Sequence, residues 1–271
     1  MSLVPPSNTQ GEIMRFTSAL MAGISGVLIL APSAAMASDE EADVDVRLAQ
    51  LEYSNGMTVT FTDSRPSNDI GMVQTGMIGR TLLIARDEGD TFLETYLEIT
   101  PRDVAVPQRL VDDHGTNTPP ELQFRRITTS PVVTGGLTPP RSAVISGAAA
   151  CNFSHFDWVD WHDSGFPGMA PKAYETSQFG GNKRYSDSFV VNCTPEGSPS
   201  YLYARHRIYY KNILGNYVKH FDSTVPPWHQ QMVEKGSIKR GRKVYYNDGW
   251  NSSPNCLGGD CVYTREGRFH D

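Results

Sequence analysis

VRLAQLEY (Val46–Tyr53) and MTVTFT (Met57–Thr62) flank Ser54-Asn55-Gly56. Two alternating apolar runs around Asn-Gly form the strongest short-range hairpin pattern a sequence offers. Met57, Val59 and Phe61 fall on one side of the second strand, and Thr58, Thr60 and Thr62 on the other. The hairpin therefore has a core face and a more polar face, which fixes its register. A lone hairpin is marginal in water, so this one needs further strands or helices to cover it.

Candidates lie on both sides. Strands are expected at Gly71–Thr75, Arg80–Arg86, Glu121–Ile127, Ser188–Cys193, Tyr201–Tyr210, Asn216–Asp222 and Lys243–Tyr246. Phe92, Tyr96 and Ile99 recur at helical spacing, with Thr91 and Glu94 placed as a capping box and Pro101 as the stop. A second short helix is expected over Pro107–His114. Abundant Gly (24) and Pro (18) spread along the chain favour a turn-rich β protein over a helical bundle. The reading is mainly β, with β-sandwich-like antiparallel sheets and a small α+β segment at the N-terminal side. A single α+β domain is the alternative. The Pro- and Gly-rich stretch 115–140 suggests a division into an α+β segment at 38–130 and a β-rich domain at 141–271.

Ala85-Arg86-Asp87-Glu88-Gly89-Asp90-Thr91-Phe92, a strand running into a Gly-Asp-Thr helix start, resembles the LysM module, a small glycan-binding unit. The resemblance implies a strand–helix–helix–strand order here and a saccharide ligand. Plain capping also produces such a helix start.

Met14-Arg15 precedes an apolar run from Ala19 to Ala31 and the small residues around Ala35-Met36-Ala37. This is the pattern of a cleaved export signal, with Ser38 as the new N-terminus and Met14 as the expected start of translation, upstream of which residues 1–13 are an extension. The run is too short to span a bilayer, and no stop-transfer segment follows. A secreted or periplasmic location is expected, with no membrane span after removal of the signal. Cys151, Cys193, Cys256 and Cys261 then read as two disulfides, with Cys256–Cys261 and Cys151–Cys193 the favoured pairing.

The formal net charge of −6 is unevenly spread. Residues 38–171 hold 9 Lys+Arg, none of them Lys, against 20 Asp+Glu, whereas residues 172–271 hold 14 against 9. The basic surplus is too sparse for nucleic acid. The asymmetry suits either mutual neutralisation of the two parts or two surfaces with different partners.

His155, Asp157, Asp160, His162 and Asp163 crowd together with Trp158 and Trp161. His and Asp at this density suit a divalent metal or acid–base chemistry. The Trp rings suit stacking on a sugar. Neither strand nor helix periodicity gathers all five His and Asp on one face. Tyr203, Arg205 and Arg207 share a strand face suited to an anionic or saccharide ligand. His206 and His220 are expected as near cross-strand neighbours. No P-loop, dinucleotide fingerprint, HExxH, EF-hand loop or hydrolase nucleophile elbow appears beyond residue 37. The leading expectation is a non-catalytic binding protein for an envelope or extracellular glycan or another anionic ligand, with Trp158, Trp161, Tyr203, Arg205 and Arg207 as contacts and no cofactor. The alternatives are a metal-assisted hydrolase built on His155–Asp163 and a structural or interaction protein of the cell envelope.

Overall fold

The computed structural model describes residues 44–140 (without 66, 80–83, 85, 87–88 and 117), 161–165, 185–193, 204–211, 217–236, 244–246 and 263–270. All of these belong to one unit, residues 40–271. The Asn-Gly hairpin forms as its pattern dictates. Strand β1 (Val44–Tyr53) pairs antiparallel with β2 (Thr58–Arg65), and Leu51 stands opposite Val59. Gly56 takes φ 85°, a conformation open to glycine at little cost. Met57, Val59 and Phe61 are fully buried.

β2 pairs with β3 (Asp69–Met77), and β3 with β11 (His229–Lys235). β11 pairs in turn with β8 (Tyr185–Asn192). Beyond β8 come β13 (Tyr263–His270) and β7 (Trp161–Gly165). At the opposite edge β6 (Val132–Leu137) lies parallel to β1. Among the described residues this gives an eight-stranded mixed sheet, β6-β1-β2-β3-β11-β8-β13-β7, that takes strands from both sides of the loop-like stretch 115–140. The fold is mainly β.

Helices cover one face. Helix α1 (Phe92–Ile99) starts on the expected capping box: the Thr91 hydroxyl accepts from the Glu94 N–H, and the Glu94 carboxylate accepts from the Thr91 N–H. Its apolar side packs on the hairpin, with Phe61 and Tyr96 edge-to-face at 5.3 Å. Burying each such ring contributes roughly 1.5–3 kcal/mol. Helix α2 (Gln108–His114) follows the short strand β4 (Val106–Pro107), which pairs with β5 (Ile127–Thr128). Its final residue, His114, bonds the Thr91 hydroxyl at 2.7 Å and so ties the two helices together.

The strand expected at Glu121–Ile127 is instead a 3-10 turn (Pro120–Phe124) running into the two residues of β5. Pro120 at the first helical position presets that turn. The chain then delivers Arg125 inward. Its guanidinium donates to the carbonyls of Leu97 (2.9 Å), Thr100 (2.8 Å) and Pro101, just where α1 leaves carbonyls without partners. A cation there also complements the helix dipole. Of the strand expected at Arg80–Arg86, only Ile84 and Arg86 are described, and neither lies in a strand. The chain therefore departs from the strand–helix–helix–strand order implied by the LysM resemblance, since α2 gives way to a 3-10 turn and a two-residue strand.

The other face of the sheet is covered by β9 (Ala204–Lys211) and β10 (Tyr217–Val225), with β12 (Val244–Tyr246) on β9. These strands form a separate three-stranded sheet, β10-β9-β12. The chain crosses back to the large sheet at Val225-Pro226-Pro227-Trp228, where Trp228 takes φ 57°. A bulge between Lys219 and Phe221 turns consecutive residues His220 and Phe221 both inward, and both are buried. Lys211 and Tyr217 face each other at the turn, which already sets His206 two residues past His220, and the bulge adds a third, so His206 stands opposite Ser223 and not beside His220.

The space between the sheets is polar. Lys235 is 1% exposed, and its ammonium reaches Asp45 and the Ser64 hydroxyl, each at 2.7 Å. Its stem lies across Gly71, where an added Cβ would meet Lys235 Cδ at 2.7 Å. Because the ammonium is held at its far end, the stem cannot simply swing aside. Gly71→Ala should therefore destabilise the fold by about 1–3 kcal/mol. Much of that penalty should vanish in a Lys235→Ala background. A double-mutant cycle in urea checks this, and strict additivity would contradict the contact.

Candidate functional site

Three polar constellations stand out among the described residues. The first joins the two sheets. Gln231 Nε2 donates to Thr75 and Ser223, each at 3.2 Å, so its carbonyl oxygen faces His206 Nδ1 at 2.9 Å. That carbonyl can only accept, so Nδ1 carries a proton and Nε2 is left to accept from the Ser188 hydroxyl at 2.7 Å. The order hydroxyl–imidazole–orienting group is that of a nucleophilic relay. Yet Ser188 and His206 are at most 1% exposed, between the two sheets. The trio satisfies polar groups between the two sheets.

The second lies beneath α1. Arg86 Nε bonds Glu234, and Glu234 stands opposite Asp187 in the strand register and is hydrogen-bonded to it. A hydrogen bond between two carboxyl groups requires a shared proton. Burial first, and the Asp187 charge second, push Glu234 well above the ordinary carboxylate range, against the opposing pull of Arg86. The guanidinium rests on the Tyr185 ring, 4.0 Å from its centroid, and lies 5.4 Å from that of Phe92. Arg86 Nη1 and Nη2 have no hydrogen-bond partner among the described residues, and these ring faces supply the compensating attraction.

The third is open to solvent. A cleft of about 380 Å³ runs between β1, α2 and the Thr128–Pro131 connection. Arg47, Arg65 and Arg109 line it, with Asp112 as the acid among the lining residues. Beneath it the fully buried Asp63 carboxylate bridges Arg65 (2.9 Å) and Arg109 (3.1 Å). Arg109 also donates to the Asn68 carbonyl at 2.7 Å and lies 3.4 Å from Asp113, which locks its orientation. Arg65 remains 64% exposed. Three guanidiniums thus gather on a segment whose overall charge is negative, and two are positioned by one buried carboxylate. Such a fork geometry suits carboxylate or phosphate groups. A second cleft of about 430 Å³, containing Asp103 and Arg126, shares Thr128, Ser130 and Pro131 with it.

Of the residues singled out from sequence, His155, Asp157, Asp160, Trp158 and Tyr203 lie outside the described residues. Trp161, His162 and Asp163 lie on β7 at the edge of the large sheet, opposite Gly267, Glu266 and Arg265. Strand alternation puts His162 and Asp163 at positions of opposite face. Arg205 and Arg207 lie on β9, opposite Thr224 and Asp222, and alternate with the buried His206 and Ile208. Cys193 is buried at the end of β8 and is not a free thiol. Cys151, Cys256 and Cys261 lie outside the described residues, and no disulfide joins two described residues. No group of three or more His, Cys, Asp or Glu suited to a metal occurs among the described residues. None of the described helices is long and apolar enough to cross a membrane.

The arginine cleft was not singled out from sequence, because Arg47, Arg65 and Arg109 are separated by 18 and 44 positions. The available signal was the exclusive use of Arg over Lys in residues 38–171. No family model, curated protein or solved structure matches this chain.

The Glu234 cluster sets a pH dependence. A carboxyl whose folded pKa is raised contributes stability that is fully present below its unfolded value and lost as pH rises through the folded value. Stability should fall with rising pH above the ordinary carboxylate range, by up to about 1.4 kcal/mol per pH unit. Glu234→Gln keeps a polar group between Arg86 and Asp187 and should flatten that slope. Urea melts from pH 5 to pH 8 test it, and an unchanged slope in the variant would rule out Glu234 as its source.

Proposed function

We propose that the protein is an exported, non-catalytic binding protein whose ligand carries carboxylate or phosphate groups and sits in the cleft of Arg47, Arg65 and Arg109. The observation that carries this reading is the convergence of three guanidiniums on one open cleft, two of them held by the buried Asp63. The export-type segment before Ser38 and the even cysteine count support a location across a membrane. An acidic glycan of the envelope meets the charge requirement, and so does an acidic polypeptide. Arg205 and Arg207, at alternate positions of β9, are proposed as further contacts for the same class of ligand. An enzymatic reading draws no support from the Ser188–His206–Gln231 relay, which is sealed between the sheets.

Two model polyanions, oligogalacturonate and polyglutamate, test the reading by titration calorimetry. At least one should bind the protein, and more weakly as salt increases. Arg47→Ala combined with Arg65→Ala should weaken binding roughly tenfold or more. Circular dichroism confirms that the double variant folds. Equal binding by the folded double variant, or no binding of either polyanion, would overturn the proposal.

A further inference from the structure

We propose that the cleft receives an extended acidic polypeptide segment of a partner protein, added as a strand along the open edge of β1 at Val44–Leu48. This rests on the anionic-ligand reading of the same cleft and names its ligand class.

The edge comes first. β6 pairs with β1 only over Ala49–Tyr53. Over Val44–Leu48, β1 pairs with β2 on one side and with no strand on the other among the described residues. Pro131 immediately precedes β6 and lines the cleft. Having no N–H and a fixed φ, it does not extend the β6 ladder along β1. What remains is a stretch of roughly 16 Å of strand edge, in line with β6 and forming a wall of the cleft through Val46, Arg47 and Leu48.

Such an edge is a template for another chain, and proteins normally blunt it with charge, bulges or a covering segment. Here Val44 is 60% and Val46 is 41% exposed, at alternate positions, so neither is tucked under the sheet. The bulge between Arg47 and Ala49 falls where the open edge meets the β6-paired part. Adding a strand satisfies the open backbone groups and covers the valines, which is the logic of strand-addition recognition.

Charge selects the occupant. Arg47 flanks the edge, Arg65 lies across the hairpin from Val44, and Arg109 projects from α2, with Asp112 as the acid lining the same cleft. Arg47 and Arg65 stand at positions of opposite sheet face, so carboxylates on both faces of an added strand meet these guanidiniums. Two copies of this edge set side by side would bring their arginines together instead, which disfavours self-pairing. A saccharide would use the arginines but neither the backbone edge nor the valines, and no aromatic ring lines the cleft for it to stack on.

A fluorescent peptide of Val-Glu-Glu-Val repeats, which carries carboxylates on both faces of the strand, tests this on the full chain by anisotropy. Beside it run the same peptide N-methylated at alternate amides, which keeps the charge but removes strand hydrogen bonds, and oligogalacturonate as competitor. The parent peptide should bind. N-methylation should weaken it roughly tenfold, and Arg47→Glu should weaken it as well. Equal binding of the two peptides would overturn strand addition while leaving the anionic cleft standing. Failure of both peptide and oligogalacturonate to bind would remove both readings.

Discussion

Strand β11 carries four polar side chains that must be buried at the centre of the large sheet. Gln230, Gln231, Glu234 and Lys235 are each at most 3% exposed. By alternation Gln230 and Glu234 face the helices, whereas Gln231 and Lys235 face the small sheet. An unsatisfied buried polar group costs about 1–3 kcal/mol, and a charged one more. The two outer layers are therefore more than hydrophobic covers. The helical side brings Arg86 to Glu234, which Asp187 meets from the neighbouring strand β8, and the small sheet brings His206 and Ser223 to Gln231. Asp45 and Ser64, from the first hairpin, complete Lys235. Partners drawn from this many elements make the polar interior specific to one arrangement of layers.

That same strand explains where the sequence reading stopped. The β1–β2 hairpin was legible because its alternation is apolar against Thr and its turn is Asn-Gly. Helix α1 was legible through Thr91, Glu94 and the spacing of Phe92, Tyr96 and Ile99. HQQMVEK shows no such alternation, since both of its faces are buried and both hold polar groups. Its neighbour Trp228 lies in a turn that leads into the middle of the sheet. The segment Glu121–Ile127 alternates like a strand yet forms a 3-10 turn, because Pro120 sets its start and Arg125 is drawn to the carbonyls at the end of α1. A tertiary demand overrode a local pattern.

The arginine cleft was illegible for a related reason. Arg47, Arg65 and Arg109 come from β1, the end of β2 and α2, and only the topology brings them to one place. Asp63, which aligns two of them, belongs to the face of β2 that also buries Val59 and Phe61. An acid at the end of an apolar face reads as the edge of the core, and here it is the anchor of the site. Of the histidines that drew notice in the sequence, those described lie elsewhere. His206 and His220 point into the interlayer, and His162 and Asp163 alternate along an edge strand.

The Lys235–Asp45 contact also orders events in time. The two residues are 190 positions apart in the chain. At about 5–20 residues per second of synthesis, the lysine emerges on the order of 10–40 s after the aspartate it will meet. Arg86 waits in the same way for Glu234, 148 positions later. During that interval the first hairpin and its helices have no means of completing their charged interior. A polypeptide built like this completes its charged interior only when most of it has been made.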